Sequence, residues 1–221
     1  KINNWMLCYA VPEKTAQQSY DFIEHYEIIF MAVFVILVIL LVLYIVHENY
    51  RRDQELMKYA QTDALTGLYN KETTKLRTDE ILSTDKDMIH AFLILDMDCF
   101  KQINDGYGHA VGDIVLQKFG QLLRDIFRED DIVGRIGGDE FVVVMKNIKM
   151  KEMAIAKAEE LLTKTQQYEI KELNGSAISI SIGIAMAPED GDCYMDLYKR
   201  ADQALYQAKR SGKARVCNYF S

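Results

Sequence analysis

Two acidic clusters carry the residue types that could do chemistry in this chain. Residues 135–145 read RIGGDEFVVVM, with Asp139 and Glu140 following Gly137 and Gly138 between two β-forming runs. Glycine admits positive φ and lets another molecule approach the backbone closely. Taken alone, the tetrapeptide fits an exposed polar turn equally well. The second cluster shifts the balance. In AFLILDMD (91–98), Asp96 and Asp98 end a run too apolar to be a loop. Residues i and i+2 of a strand share a face, so both carboxylates can point one way. Acids that end a buried strand are costly unless something pairs with them. On neighbouring strands the two clusters would make a hard-oxygen site. Such a site suits Mg²⁺, with Mn²⁺ as a substitute, because Mg²⁺ takes carboxylates, water and phosphate oxygens. Lys101, Lys209 and Lys213 could neutralise phosphates. Each lysine alone reads as a solvated surface charge; with the acids they outline a nucleoside triphosphate site.

The elements that must hold these residues follow from periodicity. DALTGLYNK reads as a loop turning at Gly67, and Lys71–Leu82 as a helix. AFLILDMD is a buried strand. HAVGDIVLQKFGQLLRDIFR sets Val111, Val115, Phe119, Leu122 and Ile126 at helical spacing. DIVGRI and FVVVM are strands on either side of the glycine pair, and Met150–Lys164 is an amphipathic helix. YEIKELNGSAISISIGIAM predicts a hairpin about Asn174-Gly175, a type I′ signal. MDLYKRADQALYQAKRSGK is a last helix with Leu197, Ala201, Leu205 and Ala208 inward, and ARVCNYF a closing strand. Strands alternate with helices, but two hairpins interrupt the alternation. The expectation is an α+β fold, a mixed sheet flanked by helices, not a doubly wound parallel sheet.

The N-terminal quarter has a different character. Ile28–Val46 is an unbroken apolar run of nineteen residues, close to the roughly 20 that cross a bilayer core as a helix. A core helix would carry a polar stripe, and a signal peptide would follow a basic stretch; the upstream flank Asp21–Glu27 is acidic. Arg51, Arg52 and Lys58 follow the run, so the positive-inside rule makes the C-terminal side cytoplasmic. The expected organisation is an extracytoplasmic end with linker at 1–26, a transmembrane helix at 27–47, a cytoplasmic signalling helix at 48–61 and an α+β domain at 62–221. The location is a cell inner or plasma membrane, crossed once. The chain does not begin with Met, so residues 1–26 are expected to be the tail of a larger extracytoplasmic part. Leu56 and Tyr59 offer a thin seam on which the signalling helix could pair with its twin.

Other features narrow the function class. A net charge of −7 argues against a nucleic-acid surface. The four cysteines, Cys8, Cys99, Cys193 and Cys217, show no metal or redox spacing and read as packing residues. His109 in GYGHA is assigned no chemistry. Tyr194, Tyr198 and Tyr206 sit at helical spacings typical of core packing.

At this point the motifs identify a family. Gly137-Gly138-Asp139-Glu140-Phe141 stands intact, as do DALTGLYN (63–70), DMDCFKQINDGYGHAVGD (96–113), SISIGIA (179–185) and ADQALYQAKRSGK (201–213). In that order they resemble GGDEF-domain diguanylate cyclases across about 160 residues. The resemblance implies a palm-like nucleotidyl cyclase fold and a reaction in which two GTP give cyclic di-GMP and two pyrophosphates. It implies that Asp96, Asp139 and the backbone carbonyl of Met97 hold Mg²⁺, and that Asp139 activates the 3′-hydroxyl beside Glu140 and Lys101. Asn104 and Asp113 would read the guanine edge; an Asp acceptor suits N1–H and N2–H₂ and leaves adenine unpaired. Phe100, Lys101, Gly137, Gly138, Lys209 and Lys213 would lie against the rest of the nucleotide.

Each domain would bind one GTP, so catalysis implies a homodimer. Arg128 and Asp131, the ends of an RxxD separated from Gly137 by five residues, match the family's product-inhibition site for cyclic di-GMP. The chain departs from the family at Lys71 and Lys213, where arginine is frequent; both keep the charge and lose bidentate reach. NWMLCYAVPE resembles the end of an extracellular Cache sensor. The competing readings are a catalytically silent module that binds GTP or cyclic di-GMP, a purely structural relay, and a cyclase of altered nucleotide choice.

Overall fold

The computed structural model describes residues 13–59, 61–168, 170–173, 175 and 177–219, and of 13–25 and 53–59 the backbone only. The expected N-terminal strand and Cache-like segment, residues 1–12, lie outside the described residues. The chain divides into two compact units, 1–57 and 58–221.

The described residues of the first unit lie in one helix, α1 (Glu13–Tyr59). Within it, Tyr26–Arg52 is long and apolar enough to cross a membrane. Every residue from Ile28 to Val46 is exposed, and the run has no polar stripe. In lipid, a helix satisfies its own backbone, which is why this shape fits such a run.

The second unit is a five-stranded mixed sheet in the order β2-β3-β1-β4-β5. Its strands are β1 (His90–Met97), β2 (Ile132–Gly137), β3 (Glu140–Met145), β4 (Ile180–Ala187) and β5 (Val216–Asn218). The helices are α2 (Lys71–Thr84), α3 (Phe100–Tyr107), α4 (His109–Ile126), α5 (Glu152–Gln167) and α6 (Tyr194–Arg210). β1 runs antiparallel to both β3 and β4, β2 and β3 form a hairpin, and β5 is parallel to β4. This is the α+β plan read from the sequence.

β1 is buried at all eight positions, which explains its unbroken apolar run. Leu93, Leu95 and Met97 face one layer with Phe119, Leu123 and Leu161 of α4 and α5. Phe92 and Ile94 face the other with Leu82 of α2 and Leu197, Ala201 and Leu205 of α6. Each such side chain contributes about 1.5–3 kcal/mol on burial, so β1 anchors both layers. The free edge of β2 is covered by the DALTGLYN loop. Tyr69 donates to the Val133 carbonyl at 3.1 Å and accepts from Arg135 N–H at 2.9 Å.

One expectation fails. The described residues of the predicted hairpin's first arm form no strand of the sheet. Lys171–Leu173 is a 3₁₀ turn, closed by Leu173 and Gly175 N–H groups that both donate to the Ile170 carbonyl. Asn174 lies outside the described residues. Tertiary contacts override the local turn signal here: Leu173 is buried in the core and Glu172 pairs with Lys118 at 2.8 Å. Among the described residues, only the second arm, β4, is a strand of the sheet.

Candidate active site

Register decides which acids meet. Asp96 pairs with Glu140 across β1 and β3. Ile94 and Val142, two residues away on each strand, both face the α2/α6 layer, so Asp96 and Glu140 do too. Cβ atoms of directly opposed residues lie about 4.5–5.5 Å apart. From α6, Lys209 reaches Asp96 Oδ2 at 2.7 Å. Burial pushes the Asp96 carboxyl above the usual carboxylate range; Lys209 pulls against it, and Asp139 and Asp98 add to it. Burial likewise raises Glu140, reinforced by Asp96 and opposed by Lys209.

Asp139 joins through its backbone: its carbonyl accepts the Met97 N–H at 3.3 Å, tying the end of β1 to the glycine turn. That turn contains a register shift between Arg135 and Gly137, and Gly138 takes φ +49°. No atom stands where a Cβ on Gly137 or Gly138 would point, so the turn is open to a ligand. Arg135 braces it, donating from Nε and Nη2 to the Gly138 carbonyl at 3.0 and 2.8 Å.

The donor set is oxygen-only and under-neutralised. Among the described residues, Lys209 stands among the carboxyls of Asp96, Asp139 and Glu140, and Lys213 also acts on Asp96. A hard divalent cation would relieve their repulsion, and the residues present fit one. Asp98 is spent otherwise. Its carboxylate accepts the Ser179 and Ser181 hydroxyls at 2.6 and 2.8 Å and the Ala214 N–H at 3.1 Å.

The remaining expected residues fall around this centre. Phe100 and Lys101 open α3 directly after the β1 turn, Phe100 half-buried and Lys101 exposed. Asn104 lies over Gly112 of α4: a Cβ on Gly112 would collide with the Asn104 amide oxygen and stand 3.3 Å from the Phe100 ring. Gly112 thereby lets α3 and α4 close, and Asp113, exposed, stands next in line. Lys213 Nζ lies 3.3 Å from Cys99 Sγ. Arg128 and Asp131 lie elsewhere, on a cavity of about 420 Å³ shared with Gly67, Tyr69, Arg124 and Val133. Asp131 is buried and accepts the backbone N–H groups of Arg128 and Lys146, both at 3.0 Å.

Several residues at these sites were not singled out from the sequence. Arg124 beside Arg128 is one. Asp202 and Arg210 are others, lining a cavity of about 790 Å³ with Glu140, Lys209 and Tyr206; Tyr206, read from its spacing as core packing, is exposed. Asp202, Tyr206 and Lys209 share a helical face, a signal available from their spacing. Ser179, Ser181 and Arg135 carried no local signal, because their partners are distant in sequence.

Residues 60–215 match the family model described as "Diguanylate cyclase, GGDEF domain". All five motifs lie inside that match. Diguanylate cyclase DgcS of Shewanella oneidensis is 36% identical over 168 residues, covering 75% of this chain and 55% of that protein. The chain spans only 23%, 25% and 55% of the lengths of three curated relatives it matches. Among solved structures, the GGDEF domain of YfiN (TpbB) from Pseudomonas aeruginosa superposes with a TM-score of 0.67 at 35% identity, covering 72% of this chain and 94% of that one. The GGDEF domain of DgcB from Caulobacter crescentus, in complex with c-di-GMP, gives a TM-score of 0.67 at 27% identity, covering 73% and 97%.

Proposed function

The chain belongs to the GGDEF family of diguanylate cyclases, and from that premise we propose that it condenses two GTP into cyclic di-GMP as the output domain of a membrane sensor. The observation that carries the reading is the Asp96–Glu140 cross-strand pair with Lys209 on Asp96. GGDEF cyclases use a divalent metal, and in this chain Asp96, Asp139 and the Met97 carbonyl would hold it, Mg²⁺ or in substitution Mn²⁺. When bound, the cation supplies charge neutralisation for the phosphates and alignment of attacking and leaving oxygens.

The chain's own residues divide the remaining work. Asn104 and Asp113 accept and donate along the guanine edge, and an adenine would leave Asp113 unpaired. Phe100 packs under the nucleotide as α3 begins. Lys101, Lys209 and Lys213 bind triphosphate oxygens. Gly137 and Gly138 allow the sugar-phosphate to approach the backbone. Asp139 takes the proton of the 3′-hydroxyl with Glu140 alongside. That oxygen forms a bond to the α-phosphorus of the GTP on a second domain, and pyrophosphate leaves. The same step with the roles exchanged closes the ring.

Two domains must meet face to face, so the active species is a homodimer and geometry sets the rate. The span is 27–47, inside the apolar helix Tyr26–Arg52; Arg51, Arg52 and Lys58 keep the catalytic unit in the cytoplasm, and residues 48–61 transmit the signal. Cyclic di-GMP acts back through Arg128 and Asp131. The domain limits are those read from the sequence.

The test incubates the full chain with GTP and Mg²⁺, separates the nucleotides, and runs Asp139→Ala beside it. Cyclic di-GMP from the parent and none from the variant supports the cyclase. No product from either, with dimerisation enforced and bound product removed, refutes the cyclase and favours a catalytically silent module.

A further inference from the structure

Asp98 lies one residue beyond β1, in the second acidic position of LDMDCF, and the proposed reaction leaves it without a task. It is 8% exposed. Its two oxygens join three segments. Oδ1 accepts the Ser181 hydroxyl, and Oδ2 accepts both the Ser179 hydroxyl and the Ala214 N–H. Its own N–H donates to the Ser179 carbonyl at 2.8 Å. An ionised carboxylate only accepts, so both hydroxyl protons are committed to it.

The third segment is unusual. Gly212, Lys213 and Ala214 take φ of +114°, +61° and +49° in succession. Left-handed backbone is avoided by residues with a Cβ, and here two adjoining ones adopt it. The turn is held at its two ends, by Lys213 N–H to the Ala208 carbonyl and by Ile182 N–H to the Arg215 carbonyl, both at 3.0 Å. Between those ends, Asp98 grips the Ala214 N–H. The outcome is Lys213 Nζ at 3.3 Å from Cys99 Sγ, over the turn that joins β1 to α3.

We propose that Asp98 is a positioning residue: it fastens the Gly212–Ala214 turn to the ends of β1 and β4, and so holds Lys213 over the turn that receives the triphosphate. The part concerning the nucleotide rests on the reading of Lys213 given above; the fastening of the turn does not. Asp98 is therefore not one of the carboxylates that hold the cation, although its spacing from Asp96 suggests so.

The experiment uses the full chain in detergent micelles and two readouts. The first is amide hydrogen exchange without nucleotide or metal. Asp98→Ala should accelerate exchange at Ala214 about tenfold or more, because a charge-assisted bond is lost, with Leu93 and Val143 unchanged. Asp98→Ser, too short to reach the Ala214 N–H, should do the same and serves if Asp98→Ala does not fold. Unchanged exchange at Ala214 overturns the proposal. The second readout is titration with a GTP analogue carrying a methylene bridge between the α- and β-phosphates, which cannot cyclise. Asp98→Ala and Lys213→Ala should each weaken binding about tenfold, and the double variant no more than either alone. Asp98→Asn, which keeps an acceptor for Ala214, should recover most of the affinity. Additive losses, or a rise in the Mg²⁺ needed for half-maximal binding in Asp98→Asn, overturn the role. A parent that does not bind the analogue refutes the nucleotide reading, while the exchange result still decides whether Asp98 fastens the turn.

Discussion

Arg135 Nη1 donates to both carboxylate oxygens of Asp63, at 3.1 and 3.3 Å. The same guanidinium binds the Gly138 carbonyl through Nε and Nη2. One side chain thus joins the segment four residues past the end of α1 to the glycine turn beside Asp139. Only a planar fork with several donors can make both contacts at once. Arg135→Lys should therefore behave much like Arg135→Ala. Both should lower cyclic di-GMP synthesis at least tenfold and destabilise the catalytic unit by about 1–2 kcal/mol, read from initial rates and urea midpoints.

Asp63 also sets an acid limit on stability. Burial pushes its carboxyl upward, but the Thr66 hydroxyl and N–H and the Arg135 guanidinium outweigh burial and hold it below the usual carboxylate range. A depressed folded pKa contributes stability that is fully present above the unfolded value, about 3.9. That contribution is lost as pH falls through the folded value. Denaturant midpoints from pH 6 to pH 2.5 should fall more steeply for the parent than for Asp63→Asn below about pH 4.

Gly183 places α6 on β4 with no space between them. A Cβ there would collide with the Ala201 carbonyl and stand 2.9 Å from Leu205 Cα, and backbone cannot rotate away. Gly183→Ala should cost about 1–3 kcal/mol and shift the helix that carries Lys209. Calorimetry should show the lowered Tm, and GTP titration a loss of affinity in the fraction still folded.

Metal removal separates Asp96 from Lys209. EDTA should abolish synthesis, and added Mg²⁺ should restore it. Asp96→Asn should raise the Mg²⁺ needed for half-maximal rate more than tenfold, as a charged ligand is lost. Lys209→Met, which removes the ammonium now facing Asp96, should leave that requirement level or lower it while raising KM for GTP. Equal Mg²⁺ requirements in parent and Asp96→Asn would remove Asp96 from the cation site.

Arg128 and Asp131 should part company under mutation. Arg128 is exposed on the cavity of about 420 Å³, so Arg128→Ala should relieve inhibition by cyclic di-GMP with little change in stability. Asp131 accepts two backbone N–H groups, and Asp131→Ala should leave them without a partner, costing about 1–3 kcal/mol. Inhibition curves and urea midpoints on the two variants distinguish the roles.

What the sequence determined by itself was everything written in local pattern. The continuous apolar run 91–95 marked β1, helical spacing marked the inner faces of α4 and α6, and nineteen apolar residues marked the candidate span. The five motifs fixed the family, since residue type and order alone carry that signal. Tertiary structure decided what local pattern does not encode. Asp96 meets Glu140 because the β1/β3 register places them opposite, and a slip of one residue would turn one of them to the other layer. Asp98, two residues from Asp96 and read with it as part of one acidic cluster, instead bonds Ser179, Ser181 and Ala214, up to 116 positions away in sequence. Among the described residues the stretch before β4 holds a 3₁₀ turn, Lys171–Leu173, instead of a strand, with Leu173 buried and Glu172 paired with Lys118. A carboxylate's task is set by the donors that reach it, and those arrive only when distant segments pack together.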